Sequence, residues 1–281
     1  MKAVIMAAGY GTRFLPFTKA VSKTMLPIID KPTIQLIVEE AIESGIDEIL
    51  VIVGANKESI IKHFSEDKEL LERVKNNAEL REMVERTHVP KIKFVEQKVL
   101  NGTGGAIMLA KEFVGNDAFL LMFADDLFVG NGKETVSKQM IDLFNKTGKT
   151  ILACSDVPKE LIVKYSSVEY SSHDGRVYTA TKITEKPKFE EIKSTLSALG
   201  RYVLKPNIFE ICENLQPKNG EKIITDAYDI LAQKGDVLAY VFDGTRYDIG
   251  NKFGYLTAVF DFALKNPEYS EKLKEYIKNK I

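Results

Sequence analysis

The chain has no tryptophan, two cysteines and three histidines in 281 residues. Cys154 and Cys212 are isolated thiols in neither a metal-binding nor a redox spacing, so they read as small buried apolar residues of a reducing compartment. His63, His88 and His173 share no ligand spacing and read as surface residues. Charge of one sign is also missing: 39 basic and 40 acidic side chains leave a net charge of −1. Without a basic face to track a phosphate backbone, nucleic acid is not an expected partner. The apolar runs are too short to span a bilayer, and Met6 leads into a Gly/Arg loop where a signal peptide would continue its apolar region. A cytoplasmic protein without a membrane partner is expected. Internal repeats, low-complexity linkers and a hexapeptide β-helix tail are absent.

Two phosphate motifs are missing as well. No G-x-x-x-x-G-K-[ST] occurs, and Gly9-Tyr10-Gly11-Thr12-Arg13-Phe14 lacks the third glycine of a dinucleotide fingerprint. What stands at the N-terminus is a short apolar run, Ala3-Val4-Ile5-Met6, ending in Ala7-Ala8-Gly9. It reads as the first strand of an α/β sheet, whose carboxyl end is where such folds bind ligands. The following loop carries Arg13, Lys19 and Lys23, and no acidic residue precedes Asp30. On a nearly neutral protein this cationic loop serves a local anion, and Gly9 and Gly11 let that anion approach backbone N–H groups. A nucleoside triphosphate fits both features.

Strand and helix patterns alternate along most of the chain. Ile34, Ile37, Val38, Ala41 and Ile42 recur at helical spacing and stop at Gly45. Strands are expected at Ile49–Val53, Lys91–Glu96, Ala118–Phe123 and Thr150–Cys154, with helices at Thr103–Phe113 and 133–147. Residues 65–87 read as a charged helical insertion with a stripe of Leu70, Leu71, Val74, Met83 and Val84. Beyond residue 165 strands are expected at Ser167–Tyr170, Arg176–Ile183, Ala198–Leu204 and Val237–Phe242, and helices at 206–214 and 224–234. Asn266-Pro267 reads as the cap and first residue of a C-terminal helix, 266–281, that packs on its own domain or on another subunit. Alternating βαβ units imply an α/β fold with a mixed, mostly parallel sheet flanked by helices.

Several residues at strand ends could carry chemistry. Asp125-Asp126 follows Phe119–Phe123 after one alanine, and Asp248 follows another strand pattern. Mg²⁺ is commonly held by one or two carboxylates plus substrate phosphates, which suits Asp125 and Asp248; the alternative for Asp125 is a capping turn. Glu185-Lys186-Pro187 could offer a carboxylate to a sugar hydroxyl and an ammonium to a phosphate. Proline biases Lys186 toward an extended backbone, so the neighbouring Glu185 and Lys186 side chains are expected to project to opposite sides. Gln97 precedes Gly102-Thr103-Gly104-Gly105, and its amide matches the N3–H and O4 edge of uracil or thymine.

The run G-x-G-T-R-x-x-P-x-T-K-x-x-x-K ending in Met25-Leu26-Pro27 resembles the signature of the sugar-phosphate nucleotidyltransferases. With the downstream motifs, the chain from Lys2 to about Phe262 resembles the bacterial-type UTP–glucose-1-phosphate uridylyltransferases. The resemblance implies a Rossmann-like, glycosyltransferase-A type fold, with a nucleotide-binding part at about 1–125, a sugar-binding part at about 126–265 and the helix 266–281 appended. It implies that Ala8, Gly9 and Gly11 hold the nucleotide, that Gln97 and Gly102 meet the base, and that Arg13 and Lys23 contact the triphosphate. Asp125, with Asp248, would bind Mg²⁺, and Glu185 and Lys186 would bind the sugar and its phosphate near Gly200 and Ser166. The implied partners are UTP, glucose 1-phosphate, UDP-glucose and pyrophosphate, in a homodimer or homotetramer.

The chain departs from that pattern at Ser22 and Thr24 beside Lys23, at Gly105 in place of histidine, at Ser166 after Tyr165, and at Thr195. The last two are expected near the sugar pocket and leave the hexose open. Two other readings stay open on the sequence: a thymidylyltransferase using dTTP, since one methyl group discriminates by only about 1–3 kcal/mol, and a non-catalytic UDP-sugar-binding regulator.

Overall fold

The computed structural model describes residues 1–132 and 134–280. Its centre is a nine-stranded sheet in the order Ile92–Glu96, Ile49–Val53, Lys2–Ala7, Phe119–Phe123, Leu196–Leu204, Thr150–Asp156, Val237–Val241, Val177–Glu185, Ser166–Asp174. The first four are mutually parallel. Leu196–Leu204 runs against both neighbours, and Val177–Glu185 runs against both of its own. Seven of the nine strands therefore point the same way, giving the mixed, mostly parallel sheet expected.

Side-chain alternation sends the two faces of each strand into separate cores. From Lys2–Ala7, Ala3, Ile5 and Ala7 join a core covered by the helices Thr33–Glu43, Val136–Thr147 and Lys252–Lys265. Val4 faces the other core, beneath Asn207–Asn214 and Ile224–Gln233. Cys154 and Cys212 are buried in this second core, and burial raises both thiols well above their ordinary range, to about 12 for Cys212.

Several elements differ from expectation. Thr103–Phe113 is not one helix but Thr103–Ile107, a 3-10 turn Met108–Ala110, and Lys111–Val114, closed by Gly115 at φ 67°. The insertion contains two short helices, Lys68–Arg73 and Ala78–Glu85, started by the side chains of Asp67 and Asn77. The 133–147 helix begins at Val136, where the Thr135 hydroxyl accepts from Lys138 N–H; residue 133 lies outside the described residues. Asn266 starts no helix. Its side chain accepts from the Glu268 N–H in a local turn, and the last helix is Ser270–Lys278. The helix Lys252–Lys265 and the ribbon of Asp126–Gly130 with Gly244–Asp248 were not expected. Nor is His63 a surface residue: it is half-buried, 2.9 Å from Gln35 Oε1, and burial lowers its pKa.

One buried ion pair ties these layers together. Arg201, fully buried on Leu196–Leu204, donates from Nη2 and Nε to Glu40 Oε2 at 2.8 and 3.1 Å. Its Nη1 donates to the carbonyls of Phe123 and Gly200 at 3.2 and 3.0 Å. Glu40 Oε1 accepts from the Ser137 hydroxyl at 2.6 Å, which joins the two helices on that face. Removing one member of such a pair strands the other without solvent. Glu40→Ala should therefore cost about 3–5 kcal/mol in urea denaturation. Glu40→Leu combined with Arg201→Met should lose less than the sum of the two single changes, as a double-mutant cycle would show.

Candidate active site

The site forms at the carboxyl end of the parallel strands, where the chain leaves Lys2–Ala7 and Phe119–Phe123 side by side. Ala124 N–H extends this ladder to Met6 O at 3.1 Å, and the chain then turns at Asp125 and enters Asp126–Gly130. In the short ribbon Asp126 stands directly opposite Asp248. Three carboxylates thus meet, an arrangement that like-charge repulsion would break without compensation.

The compensation is specific. Lys23 Nζ lies 2.5 Å from Asp125 Oδ2. Arg246 donates from Nε to Asp126 Oδ1 at 2.8 Å, with its guanidinium 4.9 Å from the Tyr165 ring centroid. Tyr165 donates its hydroxyl proton to Asp248 Oδ2 at 2.8 Å, and Gly250 N–H donates to Asp248 Oδ1 at 3.1 Å. Gly200 N–H reaches Asp126 Oδ2 at 3.0 Å because Leu196–Leu204 is irregular between Ala198 and Tyr202. A Cβ at residue 200 would stand 2.4 Å from that oxygen, so only glycine permits the contact.

These surroundings split the carboxylates. Burial works to raise Asp125, but the Lys23 ammonium outweighs it and the carboxyl sits below its ordinary range. Asp126 is pushed up to about 6, because burial and the neighbouring Asp125 and Asp248 overcome the attraction of Arg246. Burial and the bond to Asp248 raise the Tyr165 hydroxyl. Arg246 is held firmly as a cation: burial opposes the charge, and the attraction of Asp126 prevails.

A cleft of about 500 Å³ opens over this cluster. It is lined by every candidate site residue except Gly11 and Ser166: Ala8, Gly9, Arg13, Lys23, Gln97, Gly102, Asp125, Glu185, Lys186, Gly200 and Asp248. Gly11 instead supplies a left-handed turn at φ 66°, and a Cβ there would stand 2.9 Å from Lys23 Cβ. The Ser166 hydroxyl is turned from the cleft: it accepts from Ala198 N–H at 3.1 Å and lies 3.2 Å from Ala198 O. Thr195 does not line the cleft; it borders a separate polar depression with Asp156 and Glu169. Ser22 and Thr24 are buried, their hydroxyls 3.0 Å apart in the turn that carries Lys23.

Lys186 is not extended. Its φ is 42°, and its N–H donates to Tyr165 O at 2.7 Å, which ends the pairing of Val177–Glu185 with Ser166–Asp174. That hydrogen bond overrides the preference imposed by Pro187. As a result Glu185 and Lys186 face the same cleft instead of opposite sides, with Nζ 3.7 Å from Glu185 Oε1. Strained backbone of this kind persists only where surrounding contacts hold it. Thr225 donates its hydroxyl proton to Glu185 Oε2 at 2.9 Å and orients that carboxylate.

Arg246, Tyr165, Asp126 and Thr225 also line the cleft, and sequence reasoning assigned none of them a role. Asp126, Tyr165 and Arg246 lie within two residues of positions already singled out, whereas Thr225 lay in a helix read only as part of the fold. The missing signal was the ribbon that pairs Asp126 with Asp248, because its two strands are five residues each and far apart in sequence.

Comparison with known proteins places this geometry in a family. The nucleotidyl transferase family model matches residues 2–264. The chain is 43% identical over 282 residues to a UTP–glucose-1-phosphate uridylyltransferase from Staphylococcus epidermidis, covering 99% of this chain and 97% of that one. A UTP-bound UGPase from Acinetobacter baumannii superposes with a TM-score of 0.89 at 32% identity, covering 98% of each chain. A UDP-glucose pyrophosphorylase complexed with UDP-glucose gives 0.85 at 37% identity, over 94% of this chain and 99% of the other. The chain belongs to the nucleotidyl transferase family.

The pH dependence of stability should carry the mark of Asp126. With a folded pKa of about 6 above an ordinary 3.8, the folded state holds the extra proton between those values. Its contribution is therefore fully present below the unfolded pKa and is lost as pH rises through the folded one. Asp126→Asn, neutral at every pH, should lose less stability than the wild type as pH rises from about 4 to about 7, measured by urea denaturation.

Proposed function

We propose that the chain transfers the uridylyl group of UTP to α-D-glucose 1-phosphate, releasing UDP-glucose and pyrophosphate. The observation that carries this reading is the single cleft in which the cationic N-terminal loop, Gln97, two open carboxylates and the Glu185–Lys186 pair converge. The similarity to uridylyltransferases over almost the whole chain supports UTP over dTTP, and the intact charged set speaks against a non-catalytic role.

In this reaction an oxygen of the sugar phosphate attacks the α-phosphorus in line. The new P–O bond forms as the bond to the β-phosphate's bridging oxygen breaks, and the electron pair leaves on pyrophosphate. A phosphate monoester's second pKa is about 6, so the nucleophile is already anionic and no general base is needed. What the site must supply is alignment of two polyanions and relief of their repulsion. Arg13 and Lys23 lie where the triphosphate would enter and offset charge on the leaving pyrophosphate. Lys186 holds the attacking phosphate, and Glu185, oriented by Thr225, accepts from sugar hydroxyls. Gly9, beside Ala8, leaves the backbone open to the nucleotide, whereas Gly102 sits at φ 87° with Lys222 O 2.4 Å from where a Cβ would stand, so its glycine lets the chain pass Lys222 on its way to the base.

The donor set fits a divalent cation. A Cβ on Gly250 would lie 3.0 Å from Asp125 Oδ2 and 3.1 Å from Asp248 Oδ1, so the two carboxylates converge on the same point beside a residue with no side chain. Asp125 and Asp248 would hold Mg²⁺, which when bound neutralises substrate phosphate charge. Lys23, paired with Asp125, stands at the cleft beside the proposed metal site, within reach of phosphates bound there. The exposed face of Phe253, Leu256 and Phe260 on Lys252–Lys265 supports a homodimer or homotetramer, which light scattering would measure. No described helix is long and apolar enough to cross a membrane, and we place the protein in the cytoplasm.

Pyrophosphate release should require UTP, glucose 1-phosphate and Mg²⁺ together and stop with EDTA; release from dTTP or another sugar phosphate at a clearly higher kcat/KM would overturn the assignment. Lys186→Ala should lower kcat by about 10²–10³ with a smaller change in the KM for UTP. Tyr165→Phe keeps the ring under Arg246 but removes the proton given to Asp248. It should weaken Mn²⁺ binding by about 10-fold or more, read by electron paramagnetic resonance with UTP present.

A further inference from the structure

The amide of Gln97 has two faces, and something must decide which one the base meets. Rotating a glutamine amide by half a turn exchanges its oxygen and nitrogen. One orientation complements uracil, which offers an N3–H donor and an O4 acceptor. The other complements cytosine, which offers an N3 acceptor and an N4–H₂ donor. An unconstrained amide would therefore serve both bases.

Gln97 is not unconstrained. Its side chain is buried, and its backbone N–H is bonded to Val53 O at 2.9 Å. The one side-chain partner described for its amide is Asn101, whose Oδ1 accepts from Gln97 Nε2 at 3.4 Å. Asn101 is in turn held by its backbone: its N–H donates to Val99 O at 3.0 Å, and its carbonyl accepts from Lys222 N–H at 2.8 Å. Its side chain sits in a space that exists only because residue 105 is glycine. A Cβ on Gly105 would stand 2.0 Å from Asn101 Oδ1 and 2.2 Å from its Cγ. Gly105 has no positive φ, so backbone conformation does not explain the glycine; the Asn101 side chain does.

We propose that Asn101, seated over Gly105, is the positioning residue that sets the sense of the Gln97 amide and thereby selects uracil over cytosine. With Nε2 turned to Asn101 Oδ1, Gln97 Oε1 is left to accept from uracil N3–H, and the second Nε2 hydrogen is left for O4. Cytosine then meets acceptor against acceptor and donor against donor. The inference rests on the reading of the chain as a uridylyltransferase with Gln97 at the base.

The test compares kcat/KM for UTP and CTP, with glucose 1-phosphate and Mg²⁺, in the wild type, Asn101→Ala, Asn101→Asp and Gly105→Ala. Asn101→Ala and Gly105→Ala should each lower the UTP-to-CTP ratio about five- to tenfold, the effect of one neutral hydrogen bond. The change should fall on the KM for the nucleotide and leave the KM for glucose 1-phosphate unmoved. Asn101→Asp keeps an acceptor and cannot present a donor, so it should retain the wild-type ratio. Gly105 lies within the helix Thr103–Ile107, where alanine is the better helix former, so Gly105→Ala should melt no lower than the wild type while its selectivity falls. Loss of selectivity without loss of stability separates positioning from general damage. An unchanged ratio in both Asn101→Ala and Gly105→Ala overturns the inference while leaving the uridylyl reading intact. A wild type that does not use UTP overturns that reading itself.

Discussion

Three carboxylates within one turn and one short ribbon are the constraint around which this protein is organised. Asp125, Asp126 and Asp248 could not be packed together without Lys23, Arg246, the Tyr165 hydroxyl and the N–H groups of Gly200 and Gly250. The compensating groups come from four separate stretches of chain, around Lys23, Tyr165, Gly200 and Arg246–Gly250. The site therefore exists only when the N-terminal loop, the central strands and the far ribbon are all in place.

The buried Arg201–Glu40 pair connects that site to the core. It hangs from the same strand as Gly200 and holds the carbonyl of Phe123, the last residue of the strand leading to Asp125. A hydrophobic pair could fill the same volume, often at no loss of stability. It could not bond the Phe123 and Gly200 carbonyls, which lie beside the turn that aims the carboxylates. The charge thus has a geometric consequence in the cleft.

The division of roles within the cleft follows from burial. Lys23 keeps Asp125 ionised below the ordinary carboxyl range, while Asp126, buried and crowded by two like charges, rises to about 6. Asp125 and Asp248 face the open space beside Gly250, whereas Asp126 is committed to Arg246 and Gly200. Two neighbouring aspartates thus have different work, one toward ligand and one toward the fold.

Local pattern determined much of this. The Ala3–Met6 run, the cationic loop through Lys23, the strand ending before Asp125 and the glycines after Gln97 each announce themselves within a few residues, because strand alternation and turn chemistry are short-range. Hence most strands were legible, and all the candidate site residues but Gly11 and Ser166 line the cleft. Only tertiary structure decided the rest. The ribbon pairing Asp126 with Asp248 is fixed across 121 intervening positions by hydrogen bonds that no local pattern encodes. Lys186 is left-handed because the Tyr165 carbonyl captures its N–H, against the local effect of Pro187. Ser166 turns from the cleft because the backbone of Ala198, on another strand, offers both its hydrogen-bond partners. The role of Gly105 emerges only when Asn101 is seen to fill the volume that a side chain there would occupy. Sequence sets which groups are available; long-range pairing and packing decide which way each one points.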